Sequence, residues 1–252
     1  MKKFGMLLAG IMLVSQSAVF AADPMNIDFH WSFKQRAAQN LFGAKKYDEA
    51  VKALDELAAT APSPRLKADV MALAALSLAN KGEYDQAMAR VDKITEVPVA
   101  DFARMEIMMV SDKQDALIAM FKDQDMTGWP EDLAYQGYLA RGNAYEKLED
   151  MPAAVSDWEQ VVSLSDHLGG RNEAVVVETL NRIASAYRAM DDNDKALSFY
   201  LRSAEIAEAN TRARGRAGRE FYGALVSAAR LLAAQSKYDE AQALLAKFDP
   251  AS

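Results

Sequence analysis

The pentapeptide KYDEA occurs at Lys46–Ala50 and again at Lys237–Ala241, 191 residues apart, with the near copy EYDQA at Glu83–Ala87. Internal repetition constrains a fold more than any single motif, because one repeat cannot bury its apolar face alone and must stack on its neighbours. Taking the closing alanine as a fixed point aligns Ala50, Ala87, Ala154, Ala196 and Ala241. Each has a large apolar residue four positions later: Leu54, Val91, Trp158, Tyr200 and Leu245. That spacing puts both residues on one face of a helix. An alanine-rich helical stretch and a short polar turn precede each motif, most clearly Gly142–Leu148 followed by Glu149 and Asp150. Alternating valine, threonine and isoleucine are nearly absent, so the pattern argues for helix throughout.

Twelve residues before each fixed alanine stands another small residue: Ala38, Ala75, Gly142, Ala184 and Ala229. Three positions after those come Leu41, Leu78, Tyr145, Tyr187 and Leu232, and an aromatic opens three of the motifs at Tyr47, Tyr84 and Tyr238. The arrangement resembles the tetratricopeptide repeat family. That family pairs antiparallel helices A and B, with small residues at positions eight and twenty and large ones at eleven, seventeen and twenty-four. Pro62 falls at its frequent proline position, thirty-two. Small residues let the two helices approach closely while large ones fill the space beside them. The resemblance covers about residues 30–248. It implies an all-α fold, a TPR-like right-handed α-solenoid of about six helix pairs.

The third repeat is degenerate. Its fixed point is placed at Ala116 in SDKQDALIAMFK, which lacks both the glycine and the aromatic. Intervals between fixed points then run 37, 29, 38, 42 and 45 residues, against about 34 for the family. The longer late intervals imply longer helices, as in the kinesin light chain type. The segment DQDMTGWP, Asp123–Pro130, carries turn residues between periodic segments and suggests a joint. The expected division is residues 1–21 as signal peptide, 22–126 as an N-terminal stack and 127–252 as a C-terminal stack with longer helices. No polar capping helix follows the last repeat. That end either rests on a partner or a second copy of the chain, or is covered by Lys237 and Lys247.

Lys2 and Lys3, the apolar run Phe4–Val14 and the small residue Ala21 form a secretory signal with cleavage expected between Ala21 and Ala22. The run is too short to span a bilayer. Export without a single cysteine fits a periplasm better than a disulfide-stapled secreted domain. Loss of Lys2 and Lys3 leaves 27 basic against 36 acidic residues, so the mature chain carries about −9. Nucleic acid and anionic lipid are poor partners for such a chain. No later apolar run reaches the length of a membrane span.

Catalytic and metal motifs are missing. His30 and His167 lie in different repeats with no HExxH around them, and there is no GxSxG, P-loop or GxGxxG. Acidic pairs such as Glu131-Asp132 and Asp191-Asp192 sit at expected turns or helix starts, where they complement the helix dipole. Met105, Met108 and Met109, at helical spacing, could be read with Met120 and Met126 as soft ligands for Cu(I). The reading preferred is an adaptable core stripe. No cofactor is expected and no catalysis. The arginines of Thr211–Arg219, namely Arg212, Arg214, Arg216 and Arg219, read either as a dock for an acidic segment or polyanionic glycan, or as a solvated connector balanced by Glu208 and Glu220.

In tetratricopeptide stacks, positions two, five, nine and twelve of the A helices face a concave groove. Carried over, that places Gln35 and Gln39 of the first repeat and Ala72 and Leu76 of the second on the groove. The later repeats contribute Gln136, Leu139, Asn143 and Glu146, then Glu178, Asn181, Ser185 and Arg188, then Val226 and Arg230. Gln136, Asn143, Asn181, Ser185, Arg188 and Arg230 would suit the backbone or carboxylates of an extended peptide. Leu139 stands where the carboxylate-clamp subclass has lysine, which argues against a chaperone-type C-terminus. The expectation is a periplasmic scaffold that binds a protein or peptide partner within an envelope complex. The rivals are a helical-repeat enzyme or carbohydrate-binding module, which converging carboxylates of raised pKa would favour, and a metal-handling protein.

Overall fold

The computed structural model describes residues 29–167, 173–214 and 219–247. Among them lie twelve helices and no strand. The chain has an all-α repeat fold. The first seven helices are α1 (Phe29–Gly43), α2 (Tyr47–Ala59), α3 (Pro64–Asn80), α4 (Tyr84–Val91), α5 (Val97–Val110), α6 (Gln114–Phe121) and α7 (Glu131–Lys147). Five more follow: α8 (Met151–His167), α9 (Glu173–Ala189), α10 (Asn193–Arg214), α11 (Arg219–Ala234) and α12 (Tyr238–Lys247). Odd-numbered helices are the A members of successive pairs and even-numbered ones the B members. The proposed signal peptide and its cleavage site lie outside the described residues.

KYDEA turns out to encode the turn between A and B. Every A-to-B turn holds one residue in the left-handed region: Lys45, Gly82, Asp112, Glu149, Asp191 and Ser236, with φ between 54° and 89°. The next N–H donates back to the A helix from Lys46 to Leu41 O (2.9 Å), Glu83 to Leu78 O (3.0 Å), Lys113 to Met108 O (2.8 Å), Asp192 to Tyr187 O (2.9 Å) and Lys237 to Leu232 O (2.9 Å). This closure satisfies carbonyls that the helix end would otherwise leave unpaired. The motif's lysine supplies that donor, and its tyrosine begins the B helix. Its acidic residues occupy the first turn, as Asp48 and Glu49 do in α2 and Asp239 and Glu240 in α12, where the dipole favours negative charge. The alanine, one turn in, is driven against the core: Ala50, Ala87, Ala154 and Ala196 are all fully buried.

The third pair obeys the same rule with different residues. Its left-handed residue is Asp112, and the buried residue five positions on is Leu117. Ala116 is exposed, so the expected fixed point was one residue early. Met105 occupies the place of the small A-helix residue, twelve before Leu117, and is fully buried. The pair is degenerate because both small positions hold large side chains. Met108 and Met109 are buried beside Met105, as the core-stripe reading expects. Leu245 differs from its expected place. It is 45% exposed, and Leu244 instead packs against Ala229, Leu232 and Ala241.

Contacts divide the chain into two units, one ending at Leu148 and one beginning at Glu149. The expected joint near residue 128 therefore lies inside the first unit, not between stacks. Met126 is fully buried, and the missing side chain of Gly137 makes room for its sulfur. Arg141 of α7 donates Nη1–H bonds to Phe121 O (2.7 Å) and Gln124 O (2.8 Å). These ties fasten α7 to the turn before it. In this unit α3 packs on α5 and α5 on α7, so its A helices form one ladder. In the second unit α9 contacts α8, α10 and α11, and Ala184, Ala196, Tyr200 and Ala228 share a buried cluster.

Candidate functional site

The ladder of the first unit leaves a narrow cleft between α1, α3 and α5, with about 30 Å3 of room for small molecules and Leu133 of α7 in its lining. The groove positions carried over from the sequence assemble there. Gln35, Ala72 and Phe102 are the fifth positions of three successive A helices, and Gln39, Leu76 and Glu106 are the ninth. Asp69 and Val99, second positions of α3 and α5, join the lining, with Val70, Leu73 and Ala103 between them. Gln35, Gln39, Ala72 and Leu76 therefore meet as expected. Phe102 and Glu106 were missed because the third repeat had been set one residue out of step. The twelve-residue interval from Met105 to Leu117, equal to every other small-residue pair, was the signal that could have placed them.

The cleft is apolar with two acids in it. Glu106 is 5% exposed, and among the described residues none bonds or pairs with its carboxyl. Burial alone raises its pKa from 4.5 to about 8, because a carboxylate loses its hydration in an apolar wall. The Asp69 side chain is 6% exposed, and its Oδ1 accepts from Arg65 Nε at 2.9 Å. Arg65 Nη2 also donates to Asp132 Oδ2 at 2.9 Å. Asp69 Oδ2 is buried with no hydrogen-bond partner. Burial dominates again and lifts Asp69 from 3.8 to about 6; Arg65 opposes the rise, while Asp132 and Glu96 add to it. At neutral pH the cleft holds one mostly ionised carboxylate and one mostly protonated acid.

The other sequence-nominated residues fall in separate places. Gln136 is buried and Asn143 half-buried on α7 of the first unit. In the second unit Ser185 Oγ lies 2.9 Å from Tyr200 OH, a bond in which either atom can donate. Asn181 keeps a buried Oδ1 without a hydrogen-bond partner. Arg188 and Arg230 are exposed on α9 and α11. The side chains of Arg212, Arg214, Arg216 and Arg219 lie outside the described residues. Among the described residues no group of acids and histidines is arranged to hold a metal ion, and no helix is long and apolar enough to cross a membrane.

A family model described as Tetratricopeptide repeat matches residues 134–209. Among curated proteins, no sequence matches. Solved structures similar in shape include the Cut9–Hcn1 hetero-tetramer of APC/C, 13% identical at a TM-score of 0.46, covering 90% of this chain and 40% of that one. The matched part thus spans well under half of that protein. MamA from Desulfovibrio magneticus RS-1 is 16% identical at a TM-score of 0.42, covering 73% of this chain and 98% of its own. A kinesin light chain repeat protein of Podosopora anserina is 16% identical at 0.41, covering 84% and 90% of the two chains.

Proposed function

We propose that the chain is an exported scaffold that holds an extended segment of a partner protein along its A helices, within a complex of the bacterial cell envelope. The observation that carries this reading is the cleft itself. Residues from three successive A helices, spaced as a binding groove requires, line one narrow cleft. An extended peptide bound there would place alternate side chains in pockets and its backbone against the amides of Gln35 and Gln39. In the second unit the exposed Arg188 and Arg230 suit carboxylates of the same kind of partner. The signal-like N-terminus, Lys2 to Ala21, supports a periplasmic location for this scaffold.

Filling the cleft tests the reading. Ala72 is only half-buried, so Ala72→Trp should fold yet block the groove. Wild-type protein should capture a defined set of envelope proteins from periplasmic extract, and the variant should lose them. Undiminished capture by Ala72→Trp would move the binding surface elsewhere. Intact-mass measurement on the periplasmic fraction should give a chain beginning at Ala22; a retained N-terminus in the membrane fraction would refute the export reading.

One observation favours a second reading, the helical-repeat enzyme or carbohydrate-binding module. Two carboxyls of raised pKa line a single cleft, and acid–base chemistry uses groups so perturbed. Against it, the remaining lining is aliphatic or Phe102 apart from two amides, which is thin provision for the hydroxyls of a sugar. Soluble envelope glycans should therefore leave the cleft unperturbed in a binding titration, and saturable glycan binding there would support the second reading.

A further inference from the structure

The acidity of the cleft decides what kind of side chain it can receive. An apolar pocket with neutral polar groups would take any aliphatic residue. This one presents two carboxyls from different helices, Asp69 on α3 and Glu106 on α5, both more than nine-tenths buried. Each has unused acceptor capacity: Oδ2 of Asp69 has no hydrogen-bond partner, and nothing described bonds to Glu106. Unpartnered buried acids are costly to a fold, so their placement on groove positions points outward, to something that arrives with the missing charge.

The groups around Glu106 share one sign. From α1 come only the neutral Gln35 and Gln39, and from α7 the apolar Leu133. From α3 comes Asp69, whose Arg65 is already divided between Asp69 and Asp132. On α5 itself, Arg104 is engaged by Asp101 at 2.9 Å and by Asp92 at 3.0 Å. Helices α4 and α6 contribute no residue to the lining, and Glu96, just before α5, adds negative potential at Asp69. Among the described residues, no basic side chain lines the cleft.

We infer that the cleft is an anchor pocket for a lysine side chain of the bound partner segment, its methylenes lying against Leu73, Leu76 and Phe102 and its ammonium meeting Glu106. The inference rests on the protein-binding reading above and gives its partner a chemical signature. Lysine fits better than arginine because its ammonium is a compact charge with three donors on an apolar stem. The cleft is also narrow, which suits a slim methylene stem better than a broad planar guanidinium. Binding converts Glu106 from acid to carboxylate as the ammonium approaches, and its proton passes to solvent.

The probe is the peptide acetyl-Ala-Ala-Lys-Ala-Ala-amide, followed by NMR at the side-chain amides of Gln35 and Gln39 and by calorimetry in two buffers of different ionisation enthalpy. Saturable binding is expected, with release of about one proton at pH 7 and affinity rising from pH 6 to 8, as linkage to a group titrating in that range requires. Acetylating the lysine, or the substitution Glu106→Gln, should weaken binding at least about tenfold. Should the variant unfold, proton release by the wild-type chain still decides. Equal binding of the acetyl-lysine peptide without proton release would overturn the lysine pocket while leaving the scaffold reading intact. Binding of free 1,5-diaminopentane but not of the peptide would overturn both for this cleft. Binding of none of these at millimolar concentration overturns the inference as well.

Discussion

Glu106→Gln should raise stability, and by an amount that grows with pH. The amide keeps the size of the side chain and removes its charge. In the folded chain burial holds the carboxyl proton up to about pH 8, whereas the unfolded chain releases it near 4.5. A raised carboxyl pKa means that stability is fully present below about 4.5 and lost as pH rises through 8. Each pH unit between those values costs the wild type about 1.4 kcal/mol relative to a group that does not titrate. Linkage therefore predicts that the variant gains on the wild type by about 2 to 3 kcal/mol between pH 5 and 7, and by about 1 more by pH 9. Asp69 shifts in the same direction, but it is present in both proteins and cancels from the difference. Urea denaturation of the two proteins at pH 5, 6, 7, 8 and 9, followed by circular dichroism, measures the gap. A gap independent of pH would show that Glu106 is ionised and solvated in the native state, and the account of the cleft as a desolvated acid site would fail.

Three further outcomes follow from the turns, the pair contacts and the exposed arginines. Asp191 holds a left-handed φ of 62° without being glycine, so Asp191→Gly should stabilise by up to about 1 kcal/mol, and Gly82→Ala, at φ 89°, should cost about as much; thermal melts reading the opposite signs would contradict the shared turn. Ala196 is fully buried among Ala184, Tyr200 and Ala228, so Ala196→Leu should cost about 1–3 kcal/mol by overpacking, and an unchanged urea midpoint would show that α9 and α10 do not meet there closely. Alanine at both Arg188 and Arg230, which are exposed, should leave the melting temperature within about a degree, as surface changes do. The same double variant should weaken partner capture about tenfold if each arginine binds a carboxylate, and normal capture would remove them from the binding surface.

Much of this architecture was legible in five letters. KYDEA reports a turn closed by its lysine N–H, a helix opened by its tyrosine, acids at the dipole's positive end and an alanine driven against the core, and all of these recur in space. What the letters could not give was the third pair. There Met105 and Leu117 replace the small residues, and small residues were the marks used for alignment. The error of one residue hid Glu106, the residue that most distinguishes the cleft, because one step on a helix turns a side chain by roughly 100°. The seam failed for a different reason. Gly128 and Pro130 do mark an irregular segment, but Met126 and Arg141 pack that segment into the first unit, and such long-range ties leave no periodic trace. Asp69 stands at a groove-facing second position and was passed over there; what no register shows is its unsatisfied oxygen, which depends on where Arg65 is drawn by Asp132.

The central claim, that the A-helix face of the first unit receives a partner segment, is tested most directly by a photoreactive phenylalanine placed at Gln39 in living cells and compared with one at the exposed Lys52 of α2. Irradiation should yield a discrete protein adduct from position 39 and none from position 52. Mapping that adduct by mass spectrometry should place the crosslink beside a lysine of the partner. Adducts of equal yield from both positions, or from position 52 alone, would contradict the claim.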